Sequence, residues 1–299
     1  MSESLKHIKN RIRSIESIKK ITRAMEMVSL AKLRPAQNKL ESGRRYLEKI
    51  RRLLSYTLAK ASCADNPFVA AAQFAGRPQG AAPTGRKIAL CVISSDTGLC
   101  GTYNNNLFRK AEEFIKENSG SKVSLAVIGR KGFNYFRRKG YELPLAYHEP
   151  RGNYTGAMLE KILSDLNHMF LSARVSRIYL AYTRFESSSR QKPVIEEFLP
   201  LSLPVGDAQC ASPTEEYLIE PDAQTVLNEL VPVYIANKMR TAILEAKTSE
   251  HASRVISMAK ATDNAKELLE DLILLRNKVR QSGITKEILE IISSAEALK

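Results

Sequence analysis

The chain has 299 residues, 43% of them apolar, and a formal charge of +14, enough apolar matter for a buried core in one large domain or two smaller ones. No uncharged apolar run reaches the ~18 residues that span a bilayer, and the lysine-rich amino terminus lacks the apolar stretch of a secretion signal, so neither insertion nor export is expected of the sequence itself. The four cysteines, Cys63, Cys91, Cys100 and Cys210, lie far apart without a CxxC pair or a histidine at zinc spacing, which fits a reducing compartment and assigns no metal.

The first 60 residues carry most of the excess charge, with 16 Lys and Arg against 5 Asp and Glu. Such a segment suits an acidic partner, a nucleic acid or an anionic membrane, and equally a merely solvated helix face. Leu5, Ile8, Ile12, Ile15, Ile18, Ile21, Met25 and Val28 recur at steps of three and four with Lys and Arg between them. That spacing predicts a helix with one narrow apolar seam of the coiled-coil type, continuing to about Leu58. Pro35 removes a backbone donor and predicts a kink or a stop just before it.

Residues Asn66 to Gly85 are rich in Ala, Gly and Pro without periodicity and read as a loop or insertion. An α/β alternation follows. Strands are expected at Lys87–Ser94, Lys122–Ile128, Leu143–His148, Arg177–Phe185 and Val194–Leu201, with helices near Asn105–Lys116, Lys131–Lys139 and Gly156–Leu171. This is the rhythm of a mostly parallel sheet.

From Asp222, a plausible cap after Pro221, helical spacing runs almost to the end, with Ala265, Leu268, Leu272, Leu275 and Val279 ahead of Ile284, Ile288 and Ile291. Residues 222–299 hold 11 cations and 11 acids. As one helix, residues 233–297 would reach roughly 100 Å, too long for a globular core to cover, and the natural partner is the first helix. The chain thus divides into helical residues 1–60, a loop or insertion at 61–86, an α/β region at 87–210 and helical residues 211–299.

The stretch Ser94-Ser-Asp-Thr-Gly-Leu-Cys-Gly-Thr-Tyr-Asn-Asn-Asn-Leu107 joins a strand to a helix, the geometry of many phosphate sites. It lacks the three glycines of the dinucleotide fingerprint, and Gly80-Ala-Ala-Pro-Thr-Gly85-Arg-Lys ends wrongly for a Walker loop and precedes the strand. Gly98 and Gly101 are explained by a tight turn alone. Glu196-Glu197 and Glu215-Glu216 read as surface charge, and Cys100 has no histidine that the sequence can place beside it. No catalytic constellation and no cofactor site emerges.

Three stretches carry a resemblance: Ile21 to Leu33, the loop Asp96 to Gly101 with Asn104 to Leu107, and Ala261 to Asn264 through Arg280-Gln-Ser-Gly-Ile-Thr285 and beyond. Together with Tyr217 to Pro221 they resemble the γ subunit of F-type ATP synthase over nearly the whole chain. The matches are poor at Asn66–Gly85 and Pro35, and Asp96-Thr-Gly stands where that family commonly has Asp-Arg-Gly.

The resemblance implies an α/β fold: a long antiparallel coiled coil of the N- and C-terminal helices plus a central Rossmann-like α/β domain. It implies a non-catalytic rotor shaft without a cofactor, inside a ring of three alpha and three beta subunits and near the epsilon subunit and the membrane c-ring. The location implied is the cytoplasmic face of a bacterial inner membrane, reached through partners only and without nucleic acid. Arg23, Met25, Arg254, Arg280, Gln281 and Thr285 fall where the family's rotor meets its stator, the alternative at each being an ordinary exposed side chain. Two other classes stay open: a nucleotide-dependent enzyme, which leaves the long helices idle, and a nucleic-acid-binding coiled coil, for which no reader module is visible.

Overall fold

The computed structural model describes residues 5–60, 66–69, 87–120, 122–148, 154–201 and 217–297. Cys63, Cys210, the pair Glu215-Glu216 and most of the 61–86 segment lie outside them. The elements are α1 (Leu5–Lys60), β1 (Ile88–Ile93), α2 (Tyr103–Glu117), β2 (Val123–Ile128), α3 (Arg130–Arg138), β3 (Leu145–Tyr147), α4 (Gly156–Leu171), β4 (Arg177–Phe185), β5 (Gln191–Leu199) and α5 (Ala223–Ala297). They form two compact units, residues 1–31 with 254–299, and residues 32–253.

In the larger unit the strands run in the order β3-β2-β1-β4-β5, all parallel except β5, which pairs antiparallel with β4. β1 is buried at all six positions, as a central strand covered on both faces must be. Its alternate residues point to different layers. Leu90 and Val92 meet Leu107, Phe108 and Ala111 of α2 and Phe136 of α3. Ala89, Cys91 and Ile93 belong to the opposite core, with Ile162 and Leu166 of α4, Leu54 and Leu58 of α1, and Leu227 and Val231 of α5. Both terminal helices therefore finish the main core and are not appendages to it.

The fifth strand begins three residues earlier than the sequence predicts, at Gln191, and Leu201 pairs instead with Val69. Val69 is 3% exposed, so the described start of the loop segment contributes to the core. Asp222 caps α5 as expected. Its carboxylate accepts hydrogen bonds from Thr225 N at 2.9 Å and Thr225 Oγ1 at 2.7 Å, and these bonds hold its pKa below the usual range.

Pro35 does not stop α1, which is continuous from Leu5 to Lys60 with the proline inside. Leu33 and Leu40 on either side are buried, and burial of roughly 1.5–3 kcal/mol per such side chain offsets the ~3 kcal/mol cost of a mid-helix proline.

In the smaller unit the two terminal helices pair antiparallel. Ile8, Ile12, Leu269 and Leu272 share a cluster with Ile15 and Val279, and Thr262 Oγ1 donates to Thr22 Oγ1 at 2.9 Å. With 22 opposite 262, Ile12 and Leu272 each lie ten residues farther along, so one register serves the whole pair. Up to Ser29 the inward stripe of α1 runs through 5, 8, 12, 15, 19, 22, 26 and 29, with Met25 half-buried beside Glu26; the stripe alternates steps of three and four, the spacing of a left-handed coiled coil.

That seam departs from the expected one after Ile15. Ile18, Ile21 and Val28 are exposed at 46%, 59% and 55%, while Lys19, Thr22, Glu26 and Ser29 occupy the inward stripe. On α5 the seam passes through Leu269 and Arg276, leaving Leu268 and Leu275 outside. Hydroxyl groups survive inside because their protons are placed: Ser29 Oγ donates to Met25 O at 2.7 Å, and Thr22 Oγ1, which accepts from Thr262, donates to Lys19 O at 3.1 Å.

Candidate functional site

Ligands of an open parallel sheet sit at the carboxyl ends of strands where the strand order reverses. Here the chain passes outward from β1 to β2 and β3 and then returns to β4 on the other side of β1. The reversal lies between β1 and β4, and the Ser94–Thr102 loop leaves β1 at that point. The loop needs left-handed backbone at Leu99 (φ 64°) and Gly101 (φ 57°). Gly101 uses glycine's freedom as expected; Gly98 does not, and Leu99 takes the strained conformation in its place, at a cost of ~1 kcal/mol.

Groups that a phosphate loop would turn toward a ligand are tied down. Ser95 N donates to Asn104 Oδ1 at 3.2 Å, and the Asn104 amide returns to Ser95 Oγ at 2.8 Å. Ser94 Oγ accepts from Gly132 N at 2.9 Å. Asp96 Oδ1 accepts from Arg130 N at 2.9 Å, so a carboxylate from the β1 loop caps α3, whose own first turn has no acid. Its other oxygen accepts from Tyr154 Oη at 2.9 Å.

The remaining space is taken by α5. Tyr103 Oη donates to Ala246 O at 3.0 Å, Ser253 Oγ to Cys100 O at 2.8 Å, and Ser249 Oγ to Thr183 O at 3.0 Å. Glu245 accepts from Phe185 N at 2.7 Å, and Thr97 Oγ1 donates to Glu250 Oε1 at 3.2 Å. Residues 245–253 of α5 thus lie across the ends of β1 and β4, where a nucleotide-binding relative of this sheet would hold its ligand. Burial, and next the Glu250 charge, pushes the Tyr103 hydroxyl well above its ordinary pKa. Burial lowers that of Lys247, whose ammonium stands 4.8 Å from the centre of the Tyr154 ring.

The six residues expected at a rotor–stator contact fall in three stretches of the smaller unit, at 23–25, at 254 and at 280–285. Arg23 is exposed and paired with Glu26 at 3.0 Å, and Met25 beside it is half-buried. Arg280, Gln281 and Thr285 are exposed, Thr285 Oγ1 bonding Gln281 O at 3.0 Å. In the register fixed by Thr22 and Thr262, Arg280 lies 18 residues beyond Thr262, roughly 27 Å along the helix, so the structure does not gather the six into one cluster. Arg254 differs from the others at 4% exposure, buried within the chain itself. Lys247, Arg44 and Glu245 left no signal in the sequence; Asp96 entered there only as part of the loop that carries the resemblance, and its capping of α3 comes from the structure.

A family model described as ATP synthase matches residues 4–298. The ATP synthase gamma chain of Anaeromyxobacter sp. (strain Fw109-5) is 38% identical over 298 residues, which cover 99% of each chain. The chain belongs to the ATP synthase gamma chain family. A second member, from Heliobacterium modesticaldum, is 36% identical over 98% of this chain and 99% of its own. Among solved structures, a chain of the Euglena gracilis mitochondrial ATP synthase assembly of OSCP, F1 and c-ring superposes with a TM-score of 0.70 at 18% identity, covering 98% of this chain and 94% of that one. A chain of the Tetrahymena thermophila central stalk and c-ring gives 0.57 at 24% identity, covering 81% and 99%. At these identities the likenesses show a shared fold. Among the described residues no helix is long and apolar enough to cross a membrane.

Proposed function

We propose that the chain is the central rotor shaft of an ATP synthase, coupling ion flow through a membrane c-ring to conformational cycling of the catalytic beta subunits. One observation carries the reading: helices from opposite ends of the chain close on each other along a register-locked seam, while their outer faces stay exposed. A shaft needs that combination. The seam resists shear between the helices, and an outer surface of scattered charge and apolar groups meets successive stator subunits through many weak contacts.

The partners proposed are three alpha and three beta subunits, the epsilon subunit and the c-ring. The chain would sit as a peripheral component at the cytoplasmic face of a bacterial inner membrane. Its part is mechanical, with bond making left to the beta subunits; the filled crevice at the switch point supports this. Arg23, Met25, Arg280, Gln281 and Thr285 are proposed as rotor–stator contacts; Arg254, 4% exposed within the chain, would act only by holding the helix that presents them. The basic first helix would face acidic groups of the stator, each pair contributing modestly under physiological salt.

The test is to tag the chain in its own cells, solubilise the membranes gently and identify what purifies with it. Alpha, beta, epsilon and c subunits are expected in the product, with ATP hydrolysis. Recovery of the chain alone, from fractions whose alpha and beta subunits assemble without it, overturns the reading.

A further inference from the structure

The larger unit carries a second concentration of positive charge, far from α1 in sequence and unused by the rotor reading. Arg130 to Lys139 holds five cations and no acid. An open groove with a volume of about 490 Å³ runs between α2 and α3, with Leu99, Asn104 and Phe108 on one side and Lys131, Arg138 and Lys139 on the other.

The cations differ in how they are satisfied. Lys139 is held by Glu112 at 2.6 Å, Arg137 stands over the Phe133 ring, and Arg130 bonds Asp96 O at 3.3 Å. Lys131 and Arg138 have no carboxylate partner among the described residues. Lys131 lies in the first turn of α3, where the helix dipole disfavours a cation and favours an anion. Two cations without a carboxylate partner among the described residues thus face one groove, while the backbone N–H groups of the first turn of α3 are already taken by Asp96, Ser95 and Ser94, so that a further anion is drawn to the side chains.

Spacing selects the occupant. Lys131 and Arg138 are seven residues apart on one helix, two turns, or roughly 10 Å. That is the separation of carboxylates at positions i and i+7 on a second helix lying alongside, and it exceeds what one phosphate group spans. The groove also has an apolar end. Leu99 is 56% exposed and held out by its left-handed backbone, a strain that persists where surrounding structure enforces it and often marks a contact site. The floor is closed to a stacking base: Tyr135 has Phe108 on it at 4.4 Å between centroids and Lys139 over it at 5.0 Å.

We propose that the α2–α3 groove docks an acidic amphipathic helix of a partner protein, its carboxylates two turns apart on Lys131 and Arg138 and an apolar side chain against Leu99. The proposal stands apart from the rotor reading, since it concerns only the larger unit.

The test uses the full chain and a fluorescent helical peptide of about 16 residues carrying Glu at i and i+7 and one Leu on the same face. Anisotropy should report saturable binding that weakens with salt, and K131E/R138E should weaken it at least 10-fold while leaving the far-ultraviolet circular dichroism unchanged. L99S should weaken it about 5-fold without altering the salt dependence. Equal binding of the peptide with Gln at both positions, or of the charge-reversed protein, overturns the proposal. So does full displacement by millimolar pyrophosphate with the L99S protein binding normally, which identifies a small-anion site instead.

Discussion

Arg44 and Glu245 meet fork to fork, Nε to Oε1 at 2.7 Å and Nη2 to Oε2 at 2.8 Å, although 201 positions separate them. The same guanidinium donates to Phe185 O at 2.6 Å, and the same carboxylate accepts from Phe185 N at 2.7 Å. One ion pair therefore fastens α1, α5 and the end of β4 together. Such bidentate pairs fix angle as well as distance. Arg44→Ala leaves Glu245, 7% exposed, without its counter-charge. Because Arg44 is itself 42% exposed, the expected loss is about 2 kcal/mol, below the ~3–5 kcal/mol of a fully buried pair. Arg44→Lys should lose less than Arg44→Ala yet not recover the wild-type value, read by urea unfolding of the purified chain.

Removing the trans cap of α3 gives a second prediction. Asp96→Ala frees Arg130 N and the Tyr154 hydroxyl together. A loss of about 1–2 kcal/mol is expected, and Asp96→Asn, which can still accept from Arg130 N, should lose about half as much in the same unfolding measurement.

Lys238 supplies a pH signature. Its ammonium donates to Glu197 O at 2.7 Å, and burial pulls its pKa down to about 8. Between about pH 8 and the ordinary lysine value near 10.5, the unfolded chain holds a proton that the folded chain has released. Stability from this group therefore rises with pH across that window, and the cost of burying the charge is fully present below it. Compared with Lys238→Met, the wild type should gain about 2 kcal/mol over this interval. A constant difference between the two unfolding curves from pH 7 to 11 would sink the assignment.

The hydroxyl layer of the coiled coil sets up a double-mutant cycle. Thr22→Val or Thr262→Val breaks the bond between the two helices, whereas the double variant replaces a matched polar pair by a matched apolar one. The double variant is expected to be at least as stable as wild type, with a coupling of about 0.5–1 kcal/mol in the cycle. Strict additivity would mean that the 2.9 Å contact carries no energy.

Met25→Lys tests the proposed contact surface. If this half-buried position faces the stator in the assembled complex, an added cation forms a new ionic contact there. ATP hydrolysis in reconstituted vesicles should then pump fewer ions per ATP while the hydrolysis rate falls by less than half. Unchanged pumping per ATP would remove Met25 from that surface.

Much of the fold was legible because the strands announce themselves in runs of Ile, Val, Leu and Ala, each short and bounded by polar turns. The read limits of β4 and α4 coincide with the observed ones. The errors are equally physical. At Pro35, local propensity was outweighed by the burial of Leu33 and Leu40. Along α1, Ile18, Ile21 and Val28 run one residue ahead of the true 3.5-residue stripe, and a reader who follows apolar residues leaves the seam where the helix does not. The site was less legible still. Whether the crevice at β1 and β4 was open depended on Ser253, 153 residues from Cys100 in the loop that it holds, and on Glu245 and Ser249, 60 and 66 residues from the end of β4 that they hold.

The register of the helical pair also bears on the last turns of α5. Carrying the offset from Thr22 and Thr262 to Leu5 brings α1's described start level with Val279. Residues 281–295 are exposed throughout, Ile284, Ile288, Leu289, Ile291 and Ile292 among them. A lone helix of about 15 residues is marginal in water. The amide hydrogens of this segment should therefore exchange with deuterium in seconds to minutes in the isolated chain and become protected when something surrounds it. The end of α5 can thus serve as an internal gauge of assembly, readable by mass spectrometry without any label.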